Sequence, residues 1–349
     1  MERNDKAVLR LAIGLGLAVL IAYGLPLPAP FVVCVMTVLL LCKPGPPIPF
    51  VKGVVLALVV GGLLVAGVLM VPLLEHYAAA GVLLTAALLY AVFFAGARNA
   101  SPLTIILVIA FTVIPVAGVA EQALVSALST AMAVGLGTGV LVSGFSHAFF
   151  PDISSAAPGA PTAPAAPTPA RLEALRWGAL RATLVVMPVF VLALTDPAFY
   201  LAAIIKTVTL GQQASATHAR SAGRELVGST LMGAWMAACV WLGLSMRPNL
   251  WMLMLWMTAA ALWAGAGLFR VRATSFTPTF WSNALVTMLI LLGPAIEDAA
   301  VGKDVYSASA VRVCLFVGVA LYAWATVWVL ERWRASGDTK TRDVDASVA

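Results

Sequence analysis

Residues 200–233 read YLAAIIKTVTLGQQASATHARSAGRELVGSTLMG. An apolar helix carries Lys206 inside it and then passes through a polar, basic turn holding Gln212, Gln213, His218 and Arg220. A second apolar helix starts with Arg224 and Glu225 on its first turn. Between two soluble helices this would be an ordinary connection. Here the surroundings are hydrocarbon-compatible: 62% of the 349 residues are hydrophobic, 10% are charged, and the mean hydropathy is +0.99. A soluble domain carries about a quarter charged residues. The chain therefore reads as an all-helical, polytopic membrane protein, and each charge in the quoted stretch needs a physical reason.

Working outward, a span needs about 20 apolar residues, fewer where protein covers it. Twelve candidates satisfy this, over residues 8–25, 29–42, 53–74, 78–96, 101–119, 122–147, 174–195, 197–212, 223–245, 249–268, 278–294 and 306–330. The pairs 1/2 and 7/8 read either as separate helices or as single ones broken at Pro26-Leu27-Pro28 and at Asp196-Pro197, because proline cannot continue a helix without losing a hydrogen bond. With this count one side collects Arg3, Lys6, Arg10, Lys43, Lys52, Arg98, Arg171, Arg176, Arg181, Arg220, Arg224, Arg270, Arg272, Arg332 and Arg334. The other receives Glu75, Glu121, Asp196, Glu297 and Asp298, with Arg247 and Lys303 as exceptions. The positive-inside rule then places both termini in the cytoplasm. The net charge of +6 is dispersed among apolar segments, which argues for topology and against nucleic acid as a partner.

Residues 151–173, PDISSAAPGAPTAPAAPTPARLE, form a Pro/Ala-rich linker of extended character. It separates a first six-span unit over 1–150 from a second over 174–334, with residues 335–349 expected as a disordered cytoplasmic tail. The units share a layout. Basic residues open each (Lys6 and Arg10; Arg176 and Arg181), and a short proline-marked span follows. That span ends in Thr37-Val38-Leu39-Leu40 or in Thr207-Val208-Thr209-Leu210. Then come a basic residue and glycines: Lys52 with Gly61-Gly62, and Arg224 with Gly228 and Gly233. Six spans is an even number, so the repeats run parallel about an axis along the membrane normal.

On these residues the chain resembles the fusaric-acid-resistance and aromatic-acid-exporter superfamily. Its six-span repeats carry a short second helix and a polar turn leading into a helix start of the R-x-x-G-[ST]-x-x-G kind. Arg224-Glu225-Leu226-Val227-Gly228-Ser229-Thr230-Leu231-Met232-Gly233 is close to that pattern, and the first half departs from it with Lys52-Gly53. The chain looks like a short member, with the Pro/Ala linker where longer members hold a cytoplasmic domain. The resemblance implies export of aromatic or other weak organic acids, driven by the proton gradient. It also implies a periplasmic membrane-fusion adaptor and an outer-membrane channel as partners.

The residues themselves offer a site. An ionisable group at the depth of Lys206 costs several kcal/mol unless it faces protein or water, and an ammonium facing a cavity would attract a carboxylate. The competing reading is snorkelling, since roughly 9 Å of helix separates Lys206 from the polar turn. Ser221, Glu225, Ser229 and Gly233 recur every four residues and make a polar, small face unsuited to lipid. Glu225 is the acid best placed for proton coupling, and His218 titrates in the same range as the cell; against this stand a carboxylate that only favours a helix N-terminus and a solvated loop histidine. Arg224, Thr207, Gln212 and Trp235 complete the expected substrate-binding set. For Arg224 a topology charge is the alternative, and for Trp235 a lipid-facing ring. The ladder Gly135, Gly139, Ser143, His147 reads as helix packing and permits a homodimer.

Other classes are weaker. The sequence lacks G-x-x-x-x-G-K-[ST], which excludes an ATP-driven pump in one chain. Cys34, Cys42, Cys239 and Cys314 have no metal-ligand spacing, so neither a metal nor a cofactor is expected. Two rivals to the exporter remain: an uncoupled channel or scaffold in envelope assembly, and a lipid-modifying enzyme built around Glu297, Asp298 and Asp304.

Overall fold

The computed structural model describes residues 3–42, 50–99, 104–151, 168–216 and 219–348. His218, Lys43 and most of the Pro/Ala linker lie outside them. Among the described residues the chain forms thirteen helices and no strand. In chain order they are α1 (Arg3–Gly24), α2 (Pro30–Leu41), α3 (Phe50–Val68), α4 (Met70–His76), α5 (Ala78–Asn99), α6 (Thr104–Ala120) and α7 (Gln122–Phe149), followed by α8 (Pro169–Thr195), α9 (Pro197–Ala216), α10 (Ala219–Met246), α11 (Leu250–Leu268), α12 (Pro278–Ala300) and α13 (Val305–Val348). Nine stretches among the described residues are long and apolar enough to cross a membrane, and α2 and α6 are shorter apolar helices. This is a polytopic helical membrane protein.

Local chemistry fixes the helix ends. Pro26 and Pro28 end α1, Ala29 turns into the left-handed region (φ 48°), and Pro30 opens α2 at a position whose missing N–H costs nothing. At the matching break Asp196 accepts from the Phe199 amide at 3.1 Å, and Pro197 opens α9. Both doubtful pairs are therefore separate helices. Asn249 and Thr277 cap α11 and α12 through the amides of Met252 and Phe280. The third span is divided at Leu69 into α3 and α4, whereas its counterpart α10 is unbroken over 28 residues. Helix α13 runs on to Val348, past Arg334 where the sequence reading began an irregular tail; residues 335–348 contain no proline to stop it.

Packing follows one pattern in both halves. The first span of each half lies on the fourth span of the other, α1 on α11 and α8 on α5. The second span of each half lies on the fifth of the other, α2 on α12 and α9 on α6. The halves are thus interlocked rather than set side by side. Some contacts have no counterpart among the described residues: α9 also meets α12 and α10 of its own half, whereas α2 meets neither α6 nor α3, and α8 meets α6, whereas α1 does not meet α12.

Side-chain contacts gather the basic helix ends together. Lys6 donates to the Pro151 carbonyl, Arg181 binds Glu331 at 2.6 Å and the Ser215 carbonyl at 3.3 Å, and Arg224 reaches the Ser275 carbonyl at 3.4 Å. The opposite end holds Asp298 paired with Arg312 at 2.6 Å, a cation that the charge pattern alone did not single out. The Gly135/Gly139 face is occupied within the chain: β-carbons there would meet Val33, Met36, Thr37 and Leu40 of α2. His147 turns back to the Ser143 carbonyl at 2.7 Å.

Candidate functional site

Three helices meet along a polar seam. On α9 the residues facing it are Lys206, Thr209 and Gln213; on α10, Glu225, Ser229 and Gly233; on α12, Asn283 and Thr287. The spacings of three, four and seven residues keep each set on one side of its helix. The polar turn of the sequence reading is shorter than expected, because α9 continues to Ala216, and Gln212 and Gln213 lie on its last two turns.

Lys206 stands half-way along α9 with no exposed surface. Its Nζ donates to Thr287 Oγ1 at 2.6 Å, and Thr287 passes its own proton to the Asn283 carbonyl at 2.6 Å. The snorkelling alternative fails, since the ammonium points at α12 and not along α9 toward water. No carboxylate among the described residues pairs with it. One turn on, both protons of the Asn283 amide are used, on Gln213 Oε1 at 2.9 Å and on Ser229 Oγ at 2.7 Å. Gln213 in turn donates to the Glu225 main-chain carbonyl at 3.1 Å, which settles which end of its amide faces Asn283.

Glu225 is 2% exposed. Its Oε2 accepts from Thr277 Oγ1 at 2.5 Å, and its Oε1 is buried without a hydrogen-bond partner among the described residues. Since the Thr277 hydroxyl donates its proton to Glu225, the 2.8 Å contact with Thr279 must run from Thr279 to Thr277. The same Thr277 oxygen caps α12. The Glu225 carboxyl group and the start of α12 therefore share one hydroxyl group.

A cavity of about 350 Å³ lies over this end of the seam. Thr209, Gln212, Gln213, Ser221, Glu225, Thr277 and Asn283 supply its polar wall, and Leu39 of α2 and Ile105 of α6 close it from the first half. Lys206 does not line it; the ammonium sits behind Asn283 and Thr287.

A family model described as a protein of unknown function (DUF2955) matches residues 7–144. That is the first half, whereas apart from Leu39 and Ile105 the seam and its cavity belong to the second. No curated protein and no solved structure matches the chain.

Of the residues expected from sequence, the structure brings together Lys206, Glu225 and Gln212. Arg224 points outward, with its guanidinium 5.6 Å from the Phe276 ring, because the residue before Glu225 on a helix faces about 100° away. Thr207 is buried, but its hydroxyl returns to the Ala203 carbonyl at 2.6 Å. Trp235 is 56% exposed on the outer face of α10, its ring 5.7 Å from Trp263, and takes no part in the cavity. His218 lies outside the described residues. Asn283, Thr287 and Thr277 were missed. Their signal was the polar i, i+4 pair Asn283/Thr287 inside an otherwise apolar span, in step with the stripe on α10.

Proposed function

We propose that this protein is an inner-membrane secondary exporter of aromatic or other weak organic acids, coupled to protons and working with a periplasmic membrane-fusion adaptor. The observation that carries the reading is the buried Lys206 amino group. It is held in mid-bundle without a carboxylate partner and joined through Thr287 and Asn283 to a polar cavity that carries Glu225. Intramembrane charge of this kind is rare outside substrate and ion pathways. The basic helix ends face the cytoplasm in this reading, so the cavity opens toward the cytoplasmic pool of substrate. The carboxylate of the substrate is drawn toward Lys206, and Glu225, with His218 on the adjoining turn, takes up and releases the coupling proton. The alternatives of an uncoupled scaffold or a lipid-modifying enzyme give no reason for an unpaired buried ammonium.

The test is uptake of labelled hydroxybenzoate into inverted vesicles, with and without a pH gradient. Gradient-dependent accumulation is expected, and Lys206→Met should abolish it while the protein stays in the membrane. Normal export by Lys206→Met rejects the site. One observation favours a second reading: the ionisable side chain that lines the cavity is the carboxylate of Glu225. An organic cation competing with a proton for that carboxylate would use the same site. It predicts that a lipophilic ammonium, and not hydroxybenzoate, accumulates.

A further inference from the structure

The arginines at the basic helix ends have partners of two kinds. Arg181 and Arg334 pair with Glu331 and Glu173. Arg224, Arg270 and Arg272 pair with no carboxylate among the described residues, and the neighbours of Arg224 and Arg272 are aromatic rings. The end of α11 brings this about. Arg270 takes a left-handed conformation (φ 57°), which stops the helix, and the Arg272 amide bonds back to the Ala266 carbonyl at 2.9 Å. Arg272 therefore turns back along α11, its guanidinium carbon 4.7 Å from the centre of the Trp263 ring and 5.0 Å from that of Trp281. Trp263 stands about 7–8 Å of helix before Leu268, the last residue of α11. An arginine at the end of a span ordinarily reaches outward to water. This one points inward.

The two indoles meet at 84° with centres 5.0 Å apart and form a corner around the guanidinium. Ring faces attract the cation but leave its five N–H donors without an oxygen acceptor. None of these donors has an acceptor among the described residues, and none is closed off by protein. Arg224 stands at the adjoining edge of the same ring cluster, since Phe276 beside it packs 6.1 Å from Trp281. Arg270 is exposed on the turn. Glu225, next to Arg224 in the chain, is turned into the seam and held by Thr277. Beyond the corner the surface is apolar: Trp263 packs on Trp235, and Trp235 and Leu231 are exposed on the outer face of α10.

We propose that this corner holds the phosphodiester of an anionic phospholipid, taken from the leaflet at the basic helix ends. Arg272 donates to the phosphate oxygens, Arg224 and Arg270 add positive charge around it, and an acyl chain follows Trp263 and Trp235 between α10 and α11. Charge, shape and depth select that occupant. Three guanidinia without a carboxylate call for an anion, and the planar fork of an arginine matches phosphate oxygens two at a time. The corner lies where a span meets the boundary layer that contains lipid phosphates and favours tryptophan. The exposed apolar surface that continues from it suits an anion with a hydrocarbon tail, which neither free phosphate nor a small organic acid has. None of these residues lines the Glu225 cavity, so the site stands apart from the exporter reading.

The experiment is native mass spectrometry of the full chain released from detergent micelles, titrated with phosphatidylglycerol or phosphatidylcholine carrying the same acyl chains. The first phosphatidylglycerol is expected to bind about tenfold tighter than phosphatidylcholine. Arg272→Gln should bring the two within about twofold, and Arg224→Gln, at an exposed position, should lower the preference about threefold. Arg272→Lys keeps the charge and gives up the planar fork; it should also lower the preference about threefold, and it serves where Arg272→Gln does not fold. Arg247→Gln removes an exposed cation at the opposite end and should leave the preference intact. Equal binding of the two lipids by the unmodified protein overturns the site. So does a preference that survives Arg224→Gln and either change at Arg272, or one that Arg247→Gln lowers as much as they do. Displacement of the lipid by inorganic phosphate alone makes the corner a site for small anions and overturns the lipid assignment. Displacement by hydroxybenzoate overturns it in favour of the transported molecule.

Discussion

Helices α2 and α9 hold the same place in the two halves, and they differ where it matters. Each begins at a proline after a break, each packs on the fifth span of the other half, and each carries a threonine whose hydroxyl returns to its own helix (Thr37 to Val33 at 2.9 Å, Thr207 to Ala203 at 2.6 Å). The residue before that threonine is Met36 in α2 and Lys206 in α9, and both are buried. Helix α2 has 12 residues, about 18 Å, and apart from Thr37 is apolar; α9 has 20 and gains two turns that carry Gln212 and Gln213. The added turns and the extra contact with α12 turn a packing helix into one wall of a polar seam. The same packing arrangement occurs in both halves, and the buried ionisable residues of the seam, Lys206 and Glu225, lie in the second.

The comparison can be broken by exchange. Lys206→Met copies the first half into the second and should lower gradient-driven hydroxybenzoate uptake by at least about a hundredfold. Its thermal stability in detergent should hold or rise, since replacing an unpaired buried charge by a hydrophobe of similar volume is often stabilising by about 1–4 kcal/mol. The reverse change, Met36→Lys, buries an ammonium with no Thr287 to receive it and should cost about 3 kcal/mol or more, read as a lower melting temperature or loss from the membrane. Stable expression of Met36→Lys would show that the environment of α2 is not what excludes charge.

Glu225→Gln keeps an acceptor for Thr277 and removes the ionisable group. Uptake should persist down a substrate gradient but lose its dependence on pH, and an unchanged pH response would remove Glu225 from the coupling. The glycines give a smaller contrast. Gly233→Ala meets Thr287 and Ala284 and should destabilise by about 1–3 kcal/mol. Gly62→Ala enters open space and should be neutral or gain up to about 1 kcal/mol from helix propensity. Thr207→Val, which severs only a bond within its own helix, should change uptake by less than about twofold, as should Thr37→Val.

How much of this was legible in the sequence depends on the kind of residue. The helix breaks at Pro28 and Pro197 were readable because proline acts locally. Lys206 and Glu225 were readable because an ionisable group in an apolar run has few places to go. Asn283 and Thr287 were not singled out, because neutral polar residues are tolerated in a span and only the opposing α10 stripe gives them meaning. Arg224 and Trp235 were over-read for the same reason in reverse: the sequence shows that a residue is on a helix near the site, and only the contact with α12 shows which side of α10 faces inward. The interlocking of the halves, first span on fourth and second on fifth, depends on long-range packing that no local pattern encodes.

One further consequence follows from the burial of α12. Protein covers 78% of its apolar stretch, against 22% for α5 and 28% for the stretch spanning α3 and α4. Amide exchange reports how much of a structure must open before a given N–H meets solvent. In α12 that requires the opening of nearly the whole bundle, so in detergent, where no bilayer covers the outer faces, its amides should exchange after those of α5. The helix that carries Asn283 and Thr287 is thus the one most fully clothed by protein, and the polar seam is built against it.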